Sequence, residues 1–173
     1  MSTNSPPEVW LRGPLPDIPA LFQAVAHSLL QCREEVRAAL SGLTPAQLTA
    51  RPADVASAAY HVVHAIGSLD RLLTYARGEA LSSEQLAYLA DEPRAGESLQ
   101  DSAALTGRFD EAVDRALTQL RRTDESTALE AREVGRAKLP STVMGLLFHA
   151  AEHTQRHAGQ LVTTAKIVRA AGG

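Results

Sequence analysis

The sequence predicts an all-α protein built as a four-helix bundle, with short extra helices in the connections. Three observations lead there. Alanine is abundant and favours helix. Aromatic residues make up only 4% of the 173-residue chain, and β-branched alternation is scarce, which disfavours sheet. Four long stretches repeat apolar residues at helical spacing.

Residues 1–16 contain Pro6, Pro7, Pro14 and Pro16 and read as an irregular lead-in to one domain spanning 1–173. The first long helix is expected from a cap at Asp17 to about Ser41, with Ile18, Leu21, Phe22, Val25, Leu29, Val36 and Leu40 on its apolar face, and Gly42 ends it. Thr44-Pro45 starts a short turn in the connection that follows. The second long helix is expected over Val55 to Arg77, capped by Asp54 and closed by Gly78. Ser82 to Ala90 reads as a short helix, followed by a polar loop through Pro93 and Gly96. The third long helix runs from about Ser98 to Arg122, with Leu99, Leu105, Phe109, Val113, Leu117 and Leu120 facing the core. Residues 123–140 read as a long polar connection, after which Ser141 caps a fourth long helix reaching about Ala170.

Composition excludes several classes. A formal net charge of -3, with no basic stripe or tail, is no footprint for nucleic acid. No apolar run approaches the ~20 residues needed to span a membrane. The first 16 residues lack the pattern of a secretory signal. Cys32 is the only cysteine, so no internal disulfide forms; a reducing cytoplasm is the expected compartment. Among Leu29, Leu30 and Val36, Cys32 reads as an inert core thiol.

The histidines carry the chemistry. There are six, and five fall on two predicted helices: His61 and His64 on the second, His149, His153 and His157 on the fourth. His27 reads as an ordinary solvated or hydrogen-bonded residue. Imidazoles four residues apart lie one turn apart on one helix face and can chelate one ion. On the fourth helix, Val143, Leu147, Ala150, Leu161, Ala165 and Val168 define the apolar stripe. His157 lies nearest it, His153 next and His149 furthest, so His153 and His157 are the better inward pair. His149 is left to a supporting or exposed role. On the second helix, periodicity slightly favours His61 over His64 as the inward residue.

Two segments resemble the DinB-like superfamily of metal-binding four-helix bundles. His64-Ala-Ile-Gly-Ser-Leu-Asp-Arg-Leu-Leu-Thr-Tyr is similar to its second-helix motif. His153-Thr-Gln-Arg-His157-Ala-Gly-Gln-Leu is similar to its fourth-helix signature, His-x-x-x-His-x-Gly-Gln. The resemblance implies a divalent ion, zinc or nickel foremost, held by His64, His153 and His157, against the periodicity that favours His61. Both histidines of the second helix therefore stay in contention. Three histidines with open positions is the arrangement of a catalytic rather than a structural zinc site. Imidazole equally suits nickel, copper and iron.

Relatives in this superfamily include mycothiol-dependent maleylpyruvate isomerases and bacillithiol S-transferases. The resemblance thus implies a metal-dependent transferase acting on a small molecule with a low-molecular-weight thiol as cosubstrate, and a homodimer. Two other readings stand beside it. One is a metal-dependent hydrolase, with Glu152 the nearest carboxylate in sequence, although it lies about 100° round the helix from His153. The other is a non-catalytic, stress-related metal-binding protein. Arg71 and Tyr75 share the helix face of His64 and are candidates for contact with a carboxylate or the thiol. Gln160 is a candidate to hydrogen-bond a ligand imidazole. Gly159, at about 1 kcal/mol against alanine in a helix, suggests close helix packing. Arg132, Arg136 and Lys138 are candidates to line the site mouth.

Overall fold

The computed structural model describes residues 6–98 and 101–171. Four long helices form the bundle: α1 (Gln23–Leu40), α3 (Ala58–Ala76), α5 (Ser102–Arg122) and α6 (Val143–Ala171). Between them lie a five-residue α2 (Pro45–Thr49), the longer α4 (Ser83–Ser98) and an antiparallel hairpin, β1 (Ala131–Val134) with β2 (Leu139–Thr142). The all-α bundle expected from the sequence is therefore the fold, with one small hairpin added.

The core fills with the residues that periodicity selects. Phe22, Leu29, Phe109, Leu147 and Leu161 are fully buried. Burying each such side chain contributes about 1.5–3 kcal/mol relative to leaving it exposed. Ion pairs lace the outer edge of α1 to α5, with Arg37 on Asp110 at 2.9 Å and Arg33 on Asp114 at 2.5 Å. Arg169 near the end of α6 donates to the carbonyls of Ala39 and Ser41, tying down the C-terminus of α1.

Several boundaries differ from expectation, each for a local reason. Asp17 is no helix cap: its φ is +61°, and a 3-10 turn over Ala20–Phe22 leads into α1. Gly42 does end α1, at φ +73°. Thr44 starts a helix rather than a plain turn, because Thr44 and Gln47 form a reciprocal capping box. Asp54 sits at φ +60°; the cap of α3 is Ser57, whose side chain accepts from the Tyr60 N–H. α5 is capped by Asp101, whose carboxylate accepts from the N–H groups of Ala103 and Ala104. Leu99 lies outside the described residues.

Two stretches expected to be loops take regular structure. α4 does not stop at Ala90 but continues through Pro93 to Ser98. A proline inside a helix costs roughly 3 kcal/mol, so something must hold this segment in place. Side-chain bonds from α4 to α3 do so, as described below. The segment 123–140 holds a 3-10 turn at Glu125–Thr127 and then most of the hairpin, with Gly135 and Lys138 at positive φ in its turn. Ser141 belongs to β2, and the hydroxyl of Thr142 accepts from the Gly145 N–H at the start of α6.

Candidate metal centre

α3 and α6 pack antiparallel, because His61 meets His157 while His64 meets His153. This brings two one-turn repeats face to face. The His64 and His153 Nε2 atoms are 3.0 Å apart. The ring centroids of His64 and His153 both lie within 5 Å of that of His157, at 4.6 and 4.7 Å. One ligand atom from each of His64, His153 and His157 falls within 4.8 Å of the others.

The 3.0 Å between the His64 and His153 nitrogens suits a shared ion. Two nitrogens each ~2.0–2.1 Å from one metal stand about 2.8–3.4 Å apart for bond angles between a right angle and the tetrahedral value. The electrostatics also suit one. Burial, then the neighbouring His64, His153 and His61, push the His157 pKa down to about 4. Burial and then His64 lower that of His153 as well. These two imidazoles thus favour the neutral form, the one a metal ion needs. Nδ1 of His153 is buried without a hydrogen-bond partner.

His61 is the more buried of the second-helix pair, at 6% exposure, as periodicity predicts. It does not join the triad; its Nδ1 sits 3.2 Å from Nδ1 of His157. Burial, then His64, lowers its pKa. The apolar stripe of α3 leads into the bundle, whereas the three converging imidazoles sit half-buried at its rim. That is why the innermost histidine is not the one that meets His153.

His64 is fixed by its other nitrogen. Nδ1 lies 2.7 Å from Oε2 of Glu92, whose other oxygen accepts from Arg71 at 2.5 Å. Glu92 is only 3% exposed, though it comes from the turn before Pro93. Tyr88, one turn earlier on α4, donates to the Val63 carbonyl at 2.9 Å. Gln85 donates to Asp70 and Thr74. Residues 85, 88 and 92 thus form a polar stripe at helical spacing that docks α4 on α3. Gly67 makes room for it, since a Cβ there would collide with Glu92 Oε1 and Tyr88 Cε1. Glu92 and Gly67 were missed in the sequence. The 85/88/92 spacing was the available signal, hidden by the loop that Pro93 suggests.

Tyr60 stacks on His64, with centroids 5.7 Å apart and planes 10° from parallel. With Arg51, Ala56, Ser57 and Pro93 it lines a cavity of about 320 Å³.

The family comparison bears on this arrangement. A family model of the DinB superfamily matches residues 28–161, well over half of the chain. The chain belongs to the DinB superfamily. No curated protein matches it.

In this DinB protein the remaining sequence candidates do not join the three converging imidazoles. Arg71 is spent on Glu92, its long side chain reaching back toward the start of α3 as helical side chains do. Tyr75 is ~16 Å further along α3 than His64, in a separate cavity of about 710 Å³ beside the hairpin. Arg132, Arg136 and Lys138 line that same cavity, so they do not form the mouth of the histidine site. Arg132 donates instead to the Ala76 carbonyl at the end of α3. His149 is exposed and paired with Glu152 at 3.3 Å. Gln160 is exposed. Gly159 has open space around its missing Cβ, so it marks no close helix contact. Glu152 is ion-paired with Arg156, which with His149 holds its carboxyl below the usual range. Burial pushes the Cys32 thiol up to about 12, consistent with an inert core residue.

Proposed function

We propose that this DinB-superfamily protein binds one divalent ion, zinc or nickel, through His64, His153 and His157, and is a transferase using a low-molecular-weight thiol such as bacillithiol or mycothiol. The observation that carries the reading is the convergence of three imidazoles from two helices, two of them with lowered pKa values. Three protein ligands leave positions open, the pattern of a catalytic site. An ion there would supply Lewis acidity and ionise a coordinating thiol. The protein's own residues supply the rest. Tyr60 and the cavity it lines offer a place for the cosubstrate next to His64. Cys32 is buried and held as a thiol, so the reacting sulfur comes from outside the chain.

The hydrolase reading loses support, because Glu152, its candidate base, faces Arg156 and His149. A second copy of the chain is the proposed partner, packing on the groove between α1 and α6. There Leu21 and Phe148 stand 48% and 63% exposed. The single cysteine fits a reducing cytoplasm.

The test uses cobalt-loaded protein titrated with bacillithiol and with mycothiol. A sulfur-to-cobalt charge-transfer band is expected with at least one of them, followed by conjugation in a panel of electrophiles. If neither thiol perturbs the cobalt spectrum, the transferase reading is wrong. The ion-binding part would still be judged by metal content.

A further inference from the structure

We propose that Glu92 is a positioning residue for the metal centre: held by Arg71 in the notch at Gly67, it fixes His64 in the tautomer that presents Nε2 to the ion. The proposal rests on the reading of His64, His153 and His157 as ligands. It adds that the site takes a necessary part from α4, outside the helices that carry the histidines.

The chemistry follows from the two ring nitrogens. A neutral imidazole has one N–H and one lone pair, and a hydrogen bond at one nitrogen decides which is which. Oε2 of Glu92 is 2.7 Å from Nδ1 of His64. A carboxylate only accepts, so Nδ1 carries the proton and Nε2 keeps the lone pair. Nε2 is the atom that faces His153 at 3.0 Å. Glu92 in turn has little freedom. Its side chain is 4% exposed, and Oε1 accepts from Arg71, itself 11% exposed. A carboxylate buried this deeply is costly unless paired and hydrogen-bonded, and both of its oxygens are engaged here. The missing side chain at Gly67 is what lets this carboxylate approach α3. Groups of this kind orient ligand histidines, and their loss weakens metal binding ~10–100-fold.

Two measurements decide the matter. The first needs no variant and no metal: ¹⁵N shifts of the His64 ring in the metal-free wild type. The Nδ1–H tautomer is expected; finding Nε2–H would overturn the proposal. The second compares zinc affinity, by chelator competition, for wild type, Glu92→Gln and Glu152→Gln. Glu152→Gln removes an equal charge at an exposed position next to His153 in sequence. Glu92→Gln is expected to bind zinc at least tenfold more weakly and to change the visible spectrum of bound cobalt, while Glu152→Gln stays within twofold of wild type. A Glu92→Gln protein matching a zinc-binding wild type sinks the role of Glu92 alone. A wild type that takes up no zinc, nickel or cobalt sinks the ligand reading, and this proposal with it.

Discussion

The two ends of the α3–α6 pair look alike in sequence and differ in structure. One end holds His61, His64, His153 and His157; the other holds Arg132, Arg136 and Lys138 beside the end of α3. Both are clusters of residue types that bind ligands. At the first end the groups point at one another, and burial lowers the pKa values of His61, His153 and His157. At the second end the charges are spent locally, Arg132 on the Ala76 carbonyl and Glu130, Lys138 on Glu133. Convergence with costly burial marks a site; a cluster in which Arg132 and Lys138 are taken up by nearby backbone or surface partners marks a structural joint.

The contrast is sharpest in metal content. Replacing His64, His153 or His157 by alanine is expected to lower zinc affinity by more than roughly 100-fold, beyond the loss of a supporting hydrogen bond. Arg136→Ala is expected to leave it unchanged. Elemental analysis and chelator competition read both, and a normal metal content in His153→Ala would erase the distinction. Next in size is a pair of glycine substitutions. Gly67→Ala pushes Glu92 and Tyr88 off α3 and is expected to weaken zinc binding about tenfold. Gly135→Ala puts a side chain at φ +68° in the hairpin turn. It is expected to cost about 1 kcal/mol of stability with zinc affinity intact.

Acid should attack the histidine end first. The folded pKa of His157 lies near 4 and those of His153 and His61 are lowered, against about 6.5 in the unfolded chain. The unfolded state therefore takes up protons first as pH falls. The contribution of these groups is complete above about pH 6.5 and is lost on the way down toward pH 4. Urea midpoints of metal-free protein across this range should fall for wild type and less for His157→Gln. Equal slopes would show that the imidazoles do not drive the loss. The smallest effect belongs to Arg132→Ala, expected to lower stability by about 1–2 kcal/mol through the lost bond to Ala76 and to leave metal affinity within twofold. A change in affinity there would mean the two ends are coupled.

Much of this was legible in the sequence, and the reasons are particular. The four long helices follow from apolar spacing, and Gly42 and Gly78 end α1 and α3 at positive φ. His153 and His157 fall together because a helix turn is a fixed ruler. His64 was harder: periodicity ranks residues by depth, and the three converging imidazoles lie at the rim rather than at the deepest point. Glu92 was out of reach for a different reason. Its burial depends on α4 running through Pro93, and local propensity argues against that. Docking by Gln85, Tyr88 and Glu92 overrides the propensity. The hairpin over 131–142 has strands of four residues each, none of them fully buried, so it leaves too short a pattern to read.

The antiparallel crossing of α3 and α6 has a consequence for folding. His64 and His153 are 89 residues apart in sequence yet 3.0 Å apart in space. An ion bridging them would act as a reversible staple closing a very long loop. By the chain-entropy arithmetic used for a disulfide, a loop of that length is worth on the order of 4–5 kcal/mol. Loading would then set the lifetime of the folded chain as well as its chemistry, and metal-starved protein would be the population most open to proteolysis.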